Sequence, residues 1–193
     1  SSSEDIDEKH SRKIFQTTEG VPAADPFLDF CGGYKETSWT ESDTTLRASM
    51  EVDTSDDSMI YGSYSEGFKA GGINIDCQPP WKPETVSAYE LGYKSILGDG
   101  TTSISAALFH YAYDDFQVAQ VIGISGIIAN AGDTSIDGVE VELVSNINDS
   151  LNVSAGYTYL DSSYGDFLNQ DSLQPNAGAI NVKGNRLNNA PEH

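Results

Sequence analysis

Six segments of this chain alternate side-chain character with period two, and the connections between them are short and long in strict turn. Period two puts successive side chains on opposite faces of a strand. In 44–53, Leu46, Ala48, Met50 and Val52 share one side, while Thr45, Arg47, Ser49 and Glu51 share the other. Residues 134–147 set Val139, Val141 and Leu143 against Glu140, Glu142 and Val144. Residues 151–160 set Leu151, Val153, Ala155, Tyr157 and Tyr159 against Asn152, Ser154, Gly156 and Thr158. The segments 58–68, 85–97 and 101–118 complete the set; in 101–118 the pattern does not decide which side is apolar. Tight turns fall near Ser55, Gly98 and Asp149, and long polar loops span 69–84, 119–133 and 161–183. Such a chain is an all-β, antiparallel up-and-down meander with its long loops at one end. A sandwich has mixed, crossing connections instead. Residues 1–42 have no useful period and carry Gly20, Pro22, Pro26 and Gly32-Gly33, which predicts a loop or arm. Asn185 to His193 read as the entry to a seventh strand.

Outer-membrane β-barrels combine short periplasmic turns, long extracellular loops and apolar-out, polar-in strands. Tyr61, Tyr64, Tyr89, Tyr93, Tyr157 and Tyr159 suit the aromatic girdles at membrane interfaces. On that reading Glu90, Glu140 and Glu142 face the lumen, because a carboxylate facing lipid is costly, and Lys94 joins them. There is no run of 18 apolar residues that would make a membrane helix, and the opening SSSEDIDEKH is not a signal peptide. Six or seven strands leave sheet edges unpaired, so the chain is expected to be part of a larger closed barrel.

The formal charge is −20, from 30 acids and 10 bases. That rules against nucleic acid as a partner, which needs a basic surface. Between Lys94 and Lys183 there is no Lys or Arg at all. No nucleophile elbow, zinc-protease helix or phosphate loop occurs, and His10, His110 and His193 are scattered, so no enzyme is expected. Asp56-Asp57, Asp114-Asp115 and Asp133 with Asp137 lack calcium-loop spacing and read as turn residues and a solvated strand end. Cys31 and Cys77 have no metal-ligand spacing; both sit in loop-like sequence, and a disulfide between them is a possible pairing. Neither a metal site nor a cofactor is expected.

Specific blocks then narrow the reading. Tyr61-Gly-Ser-Tyr-Ser-Glu-Gly-Phe-Lys-Ala-Gly-Gly-Ile-Asn74 resembles a block of the TonB-dependent outer-membrane receptors, and so does Lys82-Pro-Glu-Thr-Val-Ser-Ala-Tyr-Glu-Leu-Gly-Tyr-Lys94. Further similar blocks are Leu108-Phe109 through Tyr113-Asp114-Asp115-Phe116-Gln117, and Asn130-Ala131-Gly132 followed by Gly138-Val-Glu-Val-Glu142. Tyr157-Thr-Tyr-Leu-Asp161 and Gly184 to His193 follow in family order.

The resemblance implies a large, 22-stranded type of barrel with a plug domain, of which residues 43–193 are about six or seven strands and residues 1–42 an extracellular loop or arm. It implies uptake of a scarce nutrient, by default a ferric siderophore, energised by the TonB complex through a part of the receptor this sequence does not contain. The implied location is the Gram-negative outer membrane, with outer-membrane lipid and lipopolysaccharide as further partners. Loop aromatics would then be the ligand contacts: Trp81, Phe116, Tyr164, Phe167 and Tyr34, with Phe27 and Phe30 beside them. The competing expectation is a secreted acidic β-sandwich of lectin or adhesin type, binding carbohydrate or calcium. In a sandwich, Leu91, Val139, Val141, Leu143, Leu151 and Val153 would be buried against a second sheet.

Overall fold

The computed structural model describes residues 6–16, 35–74, 79–98, 100–122, 125–170, 178–188 and 190–192. Twelve strands are present among them: β1 (Ile6–Gln16), β2 (Lys35–Thr45), β3 (Arg47–Ser55), β4 (Ser58–Lys69), β5 (Glu84–Leu97), β6 (Thr102–Asp114), β7 (Gln117–Ile122), β8 (Ser125–Asn130), β9 (Thr134–Asn148), β10 (Leu151–Ser163), β11 (Leu168–Gln170) and β12 (Ala179–Asn181). Six form one sheet in the order β3-β4-β5-β6-β9-β10, every neighbour antiparallel. This is the expected meander. The pairs β1-β2, β7-β8 and β11-β12 form separate two-stranded sheets.

The register explains the faces. Residues directly opposite each other on adjacent strands point the same way. Gly62, Leu91, Leu108, Val139 and Tyr159 are successive partners across β4, β5, β6, β9 and β10. The row toward the short turns is Val52, Ile60, Tyr93, Ala106, Val141 and Tyr157. These rows make one continuous apolar face, which none of the described residues covers: Met50 is 70% exposed, Leu91 and Leu108 each 54%, and Tyr157 55%. A sandwich would bury this face against a second sheet, so the sandwich expectation fails here. For β6 the register settles what the pattern left open. Ile104, Ala106, Leu108 and His110 lie on the apolar face, and Ser105, Phe109 and Tyr111 on the polar one.

Glycine shapes the polar face at two pairs. Tyr61 lies opposite Gly92 and Phe109 opposite Gly138. A Cβ on Gly92 would collide with the Tyr61 ring, and one on Gly138 with the Phe109 ring. Each aromatic ring therefore lies flat across the neighbouring strand where a side chain is missing.

Strand and loop limits differ from expectation at five places. The segment 101–118 is not one strand: β6 stops at Asp114, Asp115 takes a left-handed φ of 51°, and β7 begins at Gln117. Aspartate tolerates that conformation better than most residues. The 119–133 loop holds the β7-β8 hairpin, and the 161–183 loop holds β11 and β12. Residues 1–42, expected as a loop or arm, include β1 and most of β2, paired in register from Ile6↔Thr45 to Gln16↔Lys35. Both strands are mostly polar throughout, so the period-two pattern gives no signal for them. The seventh strand is not formed among the described residues of 185–193. The chain does lie along β10 there, with Leu160 N–H donating to the Glu192 carbonyl and Tyr164 N–H to that of Asn185.

The buried core lies at the long-loop end rather than on the sheet. Ala131, Tyr164, Phe167, Val182 and Leu187 are packed together, with Phe116, Val118, Ala129 and Ile136 against them.

Candidate functional site

The strands deliver their motif residues to this same end, and three side-chain amides tie the loops together. The Asn74 Nδ2 donates to the carbonyls of Ile128 and Pro79, both at 2.8 Å, and its Oδ1 accepts from Ile128 N–H at 2.8 Å. The 69–84 loop is thereby fixed to β8. The buried Gln117 donates from Nε2 to the carbonyls of Ala70 (3.0 Å) and Lys82 (3.1 Å). Its backbone N–H donates to Glu84 Oε2 at 2.6 Å. The Asn130 Nδ2 donates to the carbonyls of Asp115 (2.7 Å) and Lys82 (3.0 Å), while its Oδ1 accepts from Lys82 N–H at 2.8 Å. An amide suits each position because it offers donors and an acceptor to loop backbone that has no ladder partner. Asp115, in its left-handed conformation, is further held by Lys82 Nζ at 3.1 Å.

Gly132 also has a positive φ, 64°. It faces the Asp115 bend: Phe116 N–H donates to the Gly132 carbonyl at 3.2 Å and Ala131 N–H to that of Phe116 at 2.6 Å. Ala131 is fully buried beneath. On the 164–187 side, Asp166 Oδ2 accepts from Lys183 Nζ at 2.6 Å and its Oδ1 from Asn181 Nδ2 at 3.2 Å. The ammonium of Lys183, then the Asn181 amide, holds the Asp166 carboxyl below its usual range, and Asp166 in turn pushes the Lys183 ammonium up.

The sequence-predicted ligand aromatics divide in two. Tyr164 and Phe167 are buried in the loop core, and Phe116 packs on Tyr164 with ring centroids 6.3 Å apart. Tyr164 and Phe167 thus hold the loops together and present little surface to a ligand. Trp81 is half-buried and lies against Gly72, where a Cβ would collide with its ring. Tyr34, Phe27, Phe30, Cys31 and Cys77 lie outside the described residues. Asn74, Gln117 and Asn130 went unrecognised as a unit. Each stands at the end of a motif block, and only the fold brings the blocks together.

Glu90, Lys94, Glu140 and Glu142 share the polar face with Arg47, Glu51, Tyr61 and Tyr111. Tyr61 donates its hydroxyl to Glu90 Oε1 at 2.6 Å, and Lys94 Nζ sits 5.0 Å from the Tyr61 ring centroid. Around them is a polar hollow of about 400 Å³. Among the described residues, no group of three or more His, Cys, Asp or Glu is arranged to hold a metal ion. The chemistry on offer is recognition by charge and hydrogen bond.

The geometry agrees with comparisons to known proteins. The family "TonB dependent receptor-like, beta-barrel" matches residues 15–193. The "Probable TonB-dependent siderophore receptor PiuA" of Acinetobacter baumannii is 31% identical over 136 residues, which are 68% of this chain and 17% of that protein. The "Ferrioxamine receptor" of Yersinia enterocolitica is 32% identical over 120 residues, 62% of this chain and 17% of its own length. Among solved structures, the siderophore receptor PiuA from A. baumannii superposes with a TM-score of 0.67 at 23% identity, covering 95% of this chain and 26% of that one. The ferric yersiniabactin uptake receptor FyuA from Yersinia pestis also gives 0.67, at 19% identity, with 96% and 26% covered. The chain thus spans about a quarter or less of these proteins. With the family match over nearly its whole length and a meander that leaves one apolar face uncovered, this chain belongs to the TonB-dependent receptor-like β-barrels.

Proposed function

We propose that the chain is a wall segment of an outer-membrane receptor that takes up a ferric siderophore with energy from the TonB complex. The observation that carries this is the two-faced sheet. Its apolar side is continuous and uncovered across six strands, as a lipid-facing wall requires, while its other side carries Arg47, Glu51, Glu90, Lys94, Glu140 and Glu142. On this reading Glu90, Lys94, Glu140 and Glu142 face the lumen and the clamped loops stand outside the cell. The siderophore class is supported by the names of the relatives, which include a ferrioxamine receptor and ferric-pyoverdine receptors. Trp81 and Phe116 are half-buried rather than buried, which supports them over Tyr164 and Phe167 as ligand contacts at the mouth. The plug, and the segment that TonB grips, would belong to other parts of the protein.

Two measurements test the proposal. The native protein should run as a heat-modifiable band from outer-membrane fractions, heavier than 20.8 kDa. Deleting its gene should abolish uptake of at least one radiolabelled ferric chelate by iron-starved cells. A soluble or secreted band of this mass would overturn the reading, and so would unchanged uptake across hydroxamate, catecholate and mixed chelates.

A further inference from the structure

The stretch without Lys or Arg builds β6 to β12 and the loop end above the sheet. The cations that flank it are spent on carboxylates. Lys82 Nζ lies 3.1 Å from Asp115, Lys183 Nζ 2.6 Å from Asp166 and Arg186 Nη2 3.2 Å from Glu192. Lys69, at the end of β4, stands opposite Glu84 in the register. Asp114, Asp133, Asp137 and Asp161 remain, all exposed. Among the described residues only the Asp137 carboxylate of these four has a partner, His110 Nδ1 at 2.7 Å. The loop end is therefore left with a surplus of negative charge. Among the described residues no group of three or more His, Cys, Asp or Glu could hold a bare metal ion, so the surplus acts at a distance, through its field. The same end is apolar at its most exposed points. Val121 stands out from β7-β8, and Leu168 and Ile180 from β11-β12. Gln120 Nε2 joins the two hairpins, donating to the Leu168 carbonyl at 3.2 Å.

We infer that the ferric chelate received at this mouth is neutral or cationic, of trihydroxamate type with aliphatic spacers. Three hydroxamates, each singly negative, neutralise ferric iron, and a pendant ammonium then makes the complex a cation. Three catecholates, each doubly negative, leave the complex triply negative. Such an anion approaches a surface that repels it, and to bond Lys82, Lys183 or Arg186 it must break an ion pair. A neutral or cationic chelate meets neither cost. Its methylene spacers can cover Val121, Leu168 and Ile180 and take that apolar surface out of water. The inference rests on the receptor reading above and narrows its substrate class.

The test measures binding of radioiron chelates to energy-poisoned cells on ice, with and without the gene for the native protein. The probes are ferrioxamine B, a trihydroxamate with a pendant ammonium, its N-acetylated form, which has the same chelate without the charge, and ferric enterobactin, a tris-catecholate. If the gene affects neither binding nor uptake of any ferric chelate, the receptor reading falls on its own. Gene-dependent binding should be found for both trihydroxamates and not for ferric enterobactin. A carboxylate about 10 Å from a unit charge in water changes affinity roughly twofold. The four surplus carboxylates should therefore favour ferrioxamine B over its acetylated form by roughly eightfold at about 10 mM salt, shrinking to roughly twofold at about 150 mM. Asp133→Asn combined with Asp161→Asn, at two exposed carboxylates without described partners, should cut the low-salt preference roughly threefold. If that variant does not assemble, the salt series on wild type decides. Gene-dependent binding confined to ferric enterobactin, or equal binding of the two trihydroxamates at low salt, would overturn the inference.

Discussion

Replacing Gln117 with alanine tests whether the amide clamps, rather than the strands, hold the mouth of this barrel segment together. The Gln117 carboxamide makes two well-formed donor bonds, to the carbonyls of Ala70 and Lys82 at 3.0 and 3.1 Å, and a longer one to Lys69 at 3.4 Å. The residue is 9% exposed, so water does not readily replace it. Each lost bond is worth about 1 kcal/mol net, and stranding a half-buried carbonyl adds to that. Two good bonds and a weak one give roughly 2–3 kcal/mol. The loss is local, because β4, β5 and β6 keep their ladders. Hydrogen exchange on the whole receptor should therefore speed up by roughly 30- to 150-fold, at about 1.4 kcal/mol per tenfold, in peptides covering 69–74, 79–84 and 117–122. Peptides from the middle of β5 and β6 should not change. Gln120 provides a control, since it donates to Leu168 and Asn169 at 3.2 Å but is more exposed, and Gln120→Ala should act weakly. Less than threefold acceleration at 69–84 would refute the clamp reading, as would acceleration spread evenly along β4 to β6.

Phe167→Ala removes a ring that is 7% exposed from the loop core and should cost about 3–5 kcal/mol of local stability, read as faster proteolytic nicking within 161–183. Gly138→Val would drive a side chain into the Phe109 ring that lies over it, so the yield of heat-modifiable barrel should fall, and Phe109→Ala in the same chain should restore part of it. The Asp166–Lys183 tie has a pH window fixed by its two shifts. Asp166 is depressed, so its contribution is in place above the ordinary carboxyl value of 3.8 and is lost as pH falls through its lowered value. Lys183 is raised, so its contribution is in place below 10.5 and is lost as pH rises through its higher value. The protection factors of 178–184, taken relative to the intrinsic exchange rate at each pH, should be flat between those limits and fall beyond each, while Lys183→Met should abolish the dependence at the alkaline end.

What could be read in the sequence follows from which interactions are local. The faces of β3, β9 and β10 were legible because Met50 and Val52, Val139 and Val141, and Val153 and Tyr157 repeat at two-residue intervals. The faces of β6 were not. Phe109 and Tyr111 are large and apolar yet belong to the polar side, where Phe109 covers Gly138 on the next strand. That pairing spans strands and leaves no trace in local periodicity. The hairpin β7-β8 was hidden by the same limit: Gly123, Ser125 and Gly126 look like loop, and the Asp115 and Gly132 bends that set the hairpin apart come from φ angles. For β1 and β2 the sequence is mostly polar on both faces, so it was indistinguishable from an arm.

The clamp also explains why the motif blocks are recognisable at all. Three block ends, at Lys82, Asp115–Gln117 and Asn130, converge within hydrogen-bond distance of one another, and Asn74, at the end of a fourth, bonds Ile128, two residues before Asn130. Each contact joins a side chain to the backbone of a different loop, so changing one residue type strands a partner far away in sequence. Ligand contacts are under no such mutual constraint, because each side chain there answers only to the ligand. If the protein takes up a ferric chelate as proposed, side chains that distinguish one chelate from another should therefore lie between the blocks, on the exposed parts of the hairpins such as Val121, Leu168 and Ile180, each more than half exposed. The blocks themselves hold those hairpins in place. A chimera that exchanges 118–129 for the equivalent hairpin of a relative with a different chelate, leaving Gln117 and Asn130 in place, should shift uptake toward that relative's chelate without loss of barrel. If specificity instead followed an exchange confined to the motif residues, the division between frame and selectivity drawn here would be wrong.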